Sequence, residues 1–238
     1  MRHERGAVTI RRMASRDRVS SELRGFGLGG GLAMAVILLL ANVVVGQLVA
    51  LPVGAVLVFV WARLTGTPWG ELGFSRPQSW TATVILGVLF GVALELVMKA
   101  VVLPLFGMDP VNHAFHFLVG NRAALPLGIY VMLEAGFTEE IVFRGFLFER
   151  LGKLFGPRPW ATPVIVAATS LLFALGHLLG QEPPAALQAG LTGLIFGSIY
   201  ARVRRSWFVM IAHSAFDLTA LWIIHRGLET RIAHFVFH

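Results

Sequence analysis

Cysteine is absent from the chain. That excludes disulfides, thiolate nucleophiles and thiolate metal sites. Charge is scarce as well: 14% of the 238 residues are Asp, Glu, Lys or Arg, against roughly 25% in ordinary soluble domains. Also missing are an internal repeat, a low-complexity segment and the H-E-x-x-H signature of the helical zinc proteases. What fills the sequence instead is apolar. Such residues make up 56% of it, and they run in stretches long enough, at roughly 20 residues each, to cross a bilayer several times. The expected class is an all-α, polytopic transmembrane helix bundle.

The net charge of +7 is placed unevenly. Arg2, Arg5, Arg11, Arg12, Arg16, Arg18 and Arg24 crowd the first 25 residues. A basic stretch directly before an apolar run reads as a topology signal that stays cytoplasmic. No stacking aromatics interleave these arginines, so nucleic acid is not an expected partner. The basic region is too long for a signal peptide, and no A-x-A-like cleavage site follows the first apolar run. The domain reading is a basic cytoplasmic tail over 1–25 and a single transmembrane domain over 26–238.

Residues Phe26 to Ala62 would form a helix of roughly 55 Å, too long for one crossing of a hydrocarbon core about 30 Å thick. Two spans with a turn near Gly46-Gln47 are expected. Breakers at Gly66, Pro68, Gly70 and Pro77 make a loop of 63–79, with Trp69 and Trp80 at the interface. Further spans follow at about 80–105, 125–148 or on to 155, 161–179, 185–203 and 207–224, giving about seven. Gly190, Gly193 and Gly197 in the sixth suit close helix packing. With the N-terminus inside, Arg63, Arg76, Arg150, Lys153, Arg158, Arg202, Arg204 and Arg205 all fall on the cytoplasmic side. Arg122, Arg226 and Arg231 fall outside. That asymmetry is independent of the apolar pattern that defines the spans and supports their order.

A charged side chain at mid-bilayer costs about 2.5–3.5 kcal/mol on insertion scales, so the few ionisable residues within the spans are functional candidates. Glu140 and Arg144 stand four apart with the acid first, the favourable order for a helical pair. Glu139 points about 100° away and has no partner on its own segment, which leaves it free as a general acid or base. Phe173 and His177 share one helix face. His213 and Asp217, also four apart, can be an oriented imidazole, two metal ligands or a hydrogen-bonded structural pair. Measured by helical rise from the cytoplasmic ends, Glu139 and His177 fall at about 25 Å and Asp217 nearer 15 Å, with His213 shallower. Glu95 and Lys99 read most simply as an intrahelical pair. Glu134 receives no role.

In order, Glu139-Glu140-x-x-x-Arg144, Phe173-x-x-x-His177 and His213-x-x-x-Asp217 resemble the three motifs of the CPBP intramembrane proteases. That family includes type II CaaX prenyl endopeptidases and bacterial bacteriocin-processing or self-immunity proteins. The motifs lie within 139–217, while the N-terminal spans match only as generic membrane helices. The resemblance implies a helix bundle around a membrane-buried, polar, water-filled cavity in which peptide bonds of membrane-associated substrates are hydrolysed. It implies that Glu139 and His177 activate water, that Glu140 with Arg144 holds its helix in place, and that His213 and residue 217 stabilise the oxyanion. Asp217 stands where the eukaryotic CaaX enzymes have Asn; many bacterial relatives have Asp. An ionised Asp cannot donate to an oxyanion, so it would orient His213, act protonated or bind a metal. The family is often labelled metalloprotease, and Glu139, His177, His213 and Asp217 are nitrogen and oxygen ligands of a kind one zinc ion accepts. A metal-free, glutamate-dependent reaction is equally open.

An intramembrane endopeptidase in a bacterial plasma membrane, with the bilayer and a membrane-associated peptide or protein as partners, is therefore the leading expectation. The alternatives are a non-catalytic immunity or scaffold protein of the same fold and a proton- or metal-coupled transporter. The transporter reading lacks matching broken helices in the two halves. The topology is testable. Reporter fusions after Arg158 and Arg205 are expected to read cytoplasmic and a fusion after Gln181 external. A cytoplasmic signal at Gln181 would overturn the order of spans from that point.

Overall fold

The structure, a computed structural model, describes residues 17–42 and 47–237. Among these, every regular element is helical. The first sixteen residues, with five of the tail arginines, and the turn expected near Gly46 lie outside the described residues. In chain order the elements are α1 (Asp17–Arg24), α2 (Leu28–Asn42), α3 (Gln47–Thr65), α4 (Trp80–Val97), α5 (Leu103–Leu105), α6 (Leu125–Glu140), α7 (Phe148–Phe155), α8 (Ala161–Gly180), α9 (Pro183–Val203), α10 (Ser206–His225) and α11 (Glu229–Ala233). Two π-helical segments interrupt the longer runs. Met98–Val102 joins α4 to α5, and Ile141–Leu147 joins α6 to α7. Such wide turns are rare and gather at functional sites.

Four segments are long and apolar enough to cross a membrane: Leu48–Thr65, Trp80–Leu105, Ala161–Leu179 and Ser206–His225. A fifth joins them if α1 and α2, bent by 60°, are one broken span. The expected count of about seven is not reached by this measure. The helices at the expected positions are present, but α6–α7 carries too many acids and bases and α9 dilutes its apolar residues with Gly, Gln and Thr. The motif-bearing run 125–155 is thus the polar one. In the four spans between 28% and 56% of the residues are buried. Their remaining apolar surface faces outward, a liability in water and consistent with an integral membrane protein.

α10 occupies the centre, packed against α4 on one side and α6 on the other; α8 pairs with α9, and α2 with α3. Small residues bring these helices close. A Cβ on Gly91 of α4 would fall on the Ala212 carbonyl of α10, and one on Gly136 of α6 would strike Ser214. On α9, Gly193 would meet Ser170 at 3.1 Å, with Gly190 and Gly197 also against α8, which is the packing role expected for that glycine row. The loop of 66–79 folds inward. Leu72 is buried, and the Ser206 N–H at the start of α10 donates to the Gly73 carbonyl at 2.9 Å. The start of α10 is therefore buried beneath this loop.

Two charges sit differently from their expected places. Arg150, counted among the loop cations, is buried: its guanidinium donates to the Arg24 and Gly25 carbonyls at 2.9 Å each and lies over the Phe26 ring. It caps the end of α1 and fixes the α1–α2 bend. Lys99 does not pair with Glu95. The π-segment that begins at Met98 breaks the α-helical i,i+4 row. Lys99 Nζ instead reaches Glu229 of α11 at 2.9 Å and the Pro110 carbonyl at 2.8 Å. Glu229 Oε1 also accepts the Asn112 N–H at 3.0 Å. One buried ion pair thus ties α4, α11 and the 107–112 loop together. Removing one partner of such a pair costs about 3–5 kcal/mol, so Lys99→Met should lower the melting temperature in detergent sharply. Lys99→Met/Glu229→Leu should recover most of that loss. A single variant as stable as the parent would show that the pair carries no structural weight.

Candidate active site

The chain reaches the site through the end of α6. From Glu140 to Arg150 every residue is buried, because Ile141–Leu147 widens the helix and presses its whole circumference into the bundle. Arg144 NH1 donates to Glu140 Oε1 at 2.7 Å, as their spacing implies, and NH2 donates to the Gly193 carbonyl at 3.2 Å. Its guanidinium carbon stands 5.1 Å from the Phe173 ring centroid and 5.9 Å from that of Phe196, so the cation is sandwiched as well as paired.

Glu140 Oε1 also accepts from His213 Nδ1 at 2.9 Å. Glu140 is paired with Arg144 and acts as acceptor, so Nδ1 carries its proton and Nε2 points the other way. There it lies 3.6 Å from Glu139 Oε2 and 3.6 Å from Asp217 Oδ2. Both separations exceed direct hydrogen-bond reach and leave room for a third party. Two carboxyl oxygens and one imidazole nitrogen thus face a common space. His177 approaches from α8. Its Nδ1 donates to the Phe173 carbonyl at 3.0 Å, which fixes the tautomer and leaves Nε2 with its lone pair. Phe173 packs edge-on against His177, with centroids 4.6 Å apart, and against His213 at 5.8 Å.

Glu139, His177, His213 and Asp217 line one cavity of about 120 Å³. α6, α8 and α10, the helices of the three motifs, meet there. α9 adds Gln188 and Thr192, and the 112–115 segment adds Asn112 and Phe115. Glu140 and Arg144 stand behind this lining as its support. A larger apolar groove of about 620 Å³ lies between α4, α6 and α10 and contains none of the motif residues. Beside the cavity, the exposed Asp109 carboxylate accepts the Val111 N–H at 2.8 Å and pairs with His113 at 3.2 Å. The Val111 N–H holds Asp109 below its ordinary pKa, and the bond to Asp109 holds His113 above its own. Glu134, left without a role, accepts from Thr138 at 2.8 Å and is satisfied locally.

The donor types suit a metal ion, but their placement is not that of a formed site. Among the described residues no three His, Asp or Glu side chains come together in a way that could hold one. The Nδ1 atoms of His213 and His177 are engaged by Glu140 and the Phe173 carbonyl, the usual outer partners of a ligating imidazole, so these bonds do not count against a metal. The ligand set expected for zinc, Glu139, His177, His213 and Asp217, shares a cavity without converging on a point. Sequence reading passed over Gln188 and the supporting part of Phe173. Gln188 had one signal, an amide alone in an apolar helix.

The two adjacent glutamates differ in what they hold. Glu140→Gln strands Arg144 away from water, and breaking a buried pair this way costs about 3–5 kcal/mol. Glu140→Gln and Arg144→Ala should therefore both lower folded yield and melting temperature. Glu139→Gln, which severs no direct hydrogen bond, should melt close to the parent. The reverse order of stabilities would overturn this division.

No curated protein and no solved structure matches the chain. Residues 121–219 match the family model described as type II CAAX prenyl endopeptidase, Rce1-like. That stretch contains all three motifs, with α6, α8 and the part of α10 that carries His213 and Asp217. Over that stretch the chain is similar to the type II CAAX prenyl endopeptidases.

Proposed function

We propose that this protein is an intramembrane endopeptidase that hydrolyses peptide bonds of membrane-associated substrates. One observation supports the reading above the rest: Glu139, His177, His213 and Asp217 line a single polar cavity inside an apolar helical protein. Groups so costly to bury, gathered around a space that can hold several waters, suit the activation of water. At about 120 Å³ the cavity falls below the roughly 300–1,000 Å³ of drug-sized ligand sites. It suits a water molecule and one peptide group.

In the proposed reaction Glu139 takes a proton from a water in the cavity. His177 Nε2 accepts that water's second hydrogen and aims its oxygen at the scissile carbonyl carbon. As the C–O bond forms, the carbonyl oxygen gains the negative charge. His213, held from behind by Glu140, presents Nε2 to that oxygen. In this proposal His213 works as the doubly protonated imidazolium: with Nδ1–H held by Glu140, Nε2–H donates to the oxyanion, and Asp217 keeps the ring oriented. The proton on Glu139 then passes to the leaving nitrogen as the C–N bond breaks, giving a carboxylic acid and an amine. No metal is needed at any step. The N-inside orientation and the bilayer as working environment belong to the same proposal.

Purified protein in detergent or proteoliposomes, assayed against a membrane-peptide library, tests it. Glu139→Gln preserves shape but cannot accept the proton, and loss of positioned acid–base catalysis costs about 10²–10⁴-fold in rate. Glu139→Gln and His177→Ala should each lose activity by that order while remaining folded. A chelator should leave the parent's rate unchanged. Near-parent turnover by Glu139→Gln would sink the assignment, and loss of all turnover on chelation would replace the metal-free mechanism.

A further inference from the structure

Glu95 is the buried carboxyl that the proposed reaction leaves unused. It sits one turn beyond Gly91, where α4 and α10 come closest, and it is fully buried. Lys99, the neighbour expected to neutralise it, is engaged with Glu229 and the Pro110 carbonyl. Glu95 Oε2 instead accepts a short hydrogen bond from the Gln188 amide of α9. Its Oε1 has no hydrogen-bond partner among the described residues. A carboxyl in an apolar bundle with one hydrogen bond is expensive, and packing alone would be served as well by Leu.

Gln188 gives this carboxyl a purpose. Its side chain lines the cavity shared by Glu139, His177, His213 and Asp217, and it also borders the small space beneath the 109–112 loop. With one amide N–H spent on Glu95, Gln188 keeps a carbonyl oxygen and a second N–H. A free glutamine in a helix samples many rotamers, and the Glu95 bond restricts them. The cavity has space for a peptide group and little for side chains, so a group that grips the backbone is the fitting complement.

We propose that Glu95 and Gln188 form a backbone-recognition dyad, in which Glu95 positions Gln188 so that its amide carbonyl accepts an N–H of the substrate main chain beside the scissile bond. The inference rests on the peptidase reading for the identity of the ligand. It adds to that reading a residue that selects extended peptide and does no chemistry. Glu95 acts through Gln188 and is a positioning residue.

The test uses the full chain in detergent, in a Glu139→Gln background so that binding is read without turnover. The probe is a fluorescein-labelled peptide of alternating leucine and alanine, followed by fluorescence anisotropy. Gln188→Leu should weaken binding about three- to tenfold, the usual range for one neutral hydrogen bond. Glu95→Leu should do the same, and the two together should lose no more than either alone. Glu95→Gln restores an acceptor for the Gln188 amide and should rescue most of the loss. A probe with N-methylated backbone amides should bind the parent more weakly and the Gln188→Leu variant no differently from the unmethylated probe. A merely structural role would not produce that methylation difference. In the active background, Gln188→Leu should raise KM by the same factor with kcat little changed. Unaltered affinity and KM in Gln188→Leu, with a parent that cleaves peptides, overturns the dyad and leaves the peptidase standing. A parent that cleaves nothing while binding remains Gln188-dependent overturns the peptidase and leaves the backbone contact standing. A kcat loss without a KM change assigns Gln188 to the chemistry and also overturns the dyad.

Discussion

The site depends on one oxygen atom. Glu140 Oε1 accepts Arg144 at 2.7 Å and His213 at 2.9 Å, and these bonds join α6, the π-segment and α10. Arg144 extends the set to α9 through the Gly193 carbonyl and to α8 through the face of Phe173. In a medium without water each of these groups would be costly alone; together they satisfy most of one another's demands. The orientation of His213 follows. Its Nδ1 is held from behind, so its Nε2 must face Glu139 and Asp217. An imidazole that is to present Nε2 to a cavity needs a fixed direction, and the Glu140 carboxylate supplies it.

The widened segment Ile141–Leu147 makes this junction possible. An α-helix would present one face to the bundle, whereas all seven of these residues are buried. Gly145 approaches the Leu72 carbonyl of the inward-folded loop, where an added Cβ would stand 3.2 Å away. The same loop buries the start of α10. The loop that reads in sequence as a simple cytoplasmic connection therefore packs against both the π-segment after α6 and the start of α10. The second π-segment does comparable work on α4: it takes Lys99 off the Glu95 row and sends it to Glu229.

Much of the site was legible because intramembrane charge is so costly that few residues could be candidates. Glu140 with Arg144 followed from four-residue spacing, and the shared cavity of Glu139, His177, His213 and Asp217 agrees with their grouping on separate helices. What failed shares one cause. Spacing rules assume an uninterrupted α-helix, and the Glu95–Lys99 pairing breaks where a π-turn begins. Depth reckoned from helix ends assumes straight, parallel helices, and the His213–Glu140 bond sets residues 140 and 213 side by side whatever their distances from the helix ends. The span count assumed that every apolar run crosses in full, yet the run bearing Glu139 to Lys153 is too charged to qualify by hydropathy. Gln188 and Glu229 escaped because nothing local names their partners, which lie 93 and 130 residues away.

The buried polar groups fall into two kinds, and the difference between them separates frame from site. Lys99 with Glu229, Arg150 with the end of α1, and Arg144 with Glu140 are each met by several partners from different elements, which makes them joints. Glu139, Asp217 and the free nitrogen of His177 have none within hydrogen-bond reach among the described residues, and all three border the same cavity. Folding tolerates such groups when the surrounding joints hold them in place. Water and a polarised carbonyl are the ligands that can complete them. The unmet hydrogen-bonding capacity of the cavity is thus complementary to the species that the proposed hydrolysis would form, and the joints around it oppose its relief by collapse of the helices.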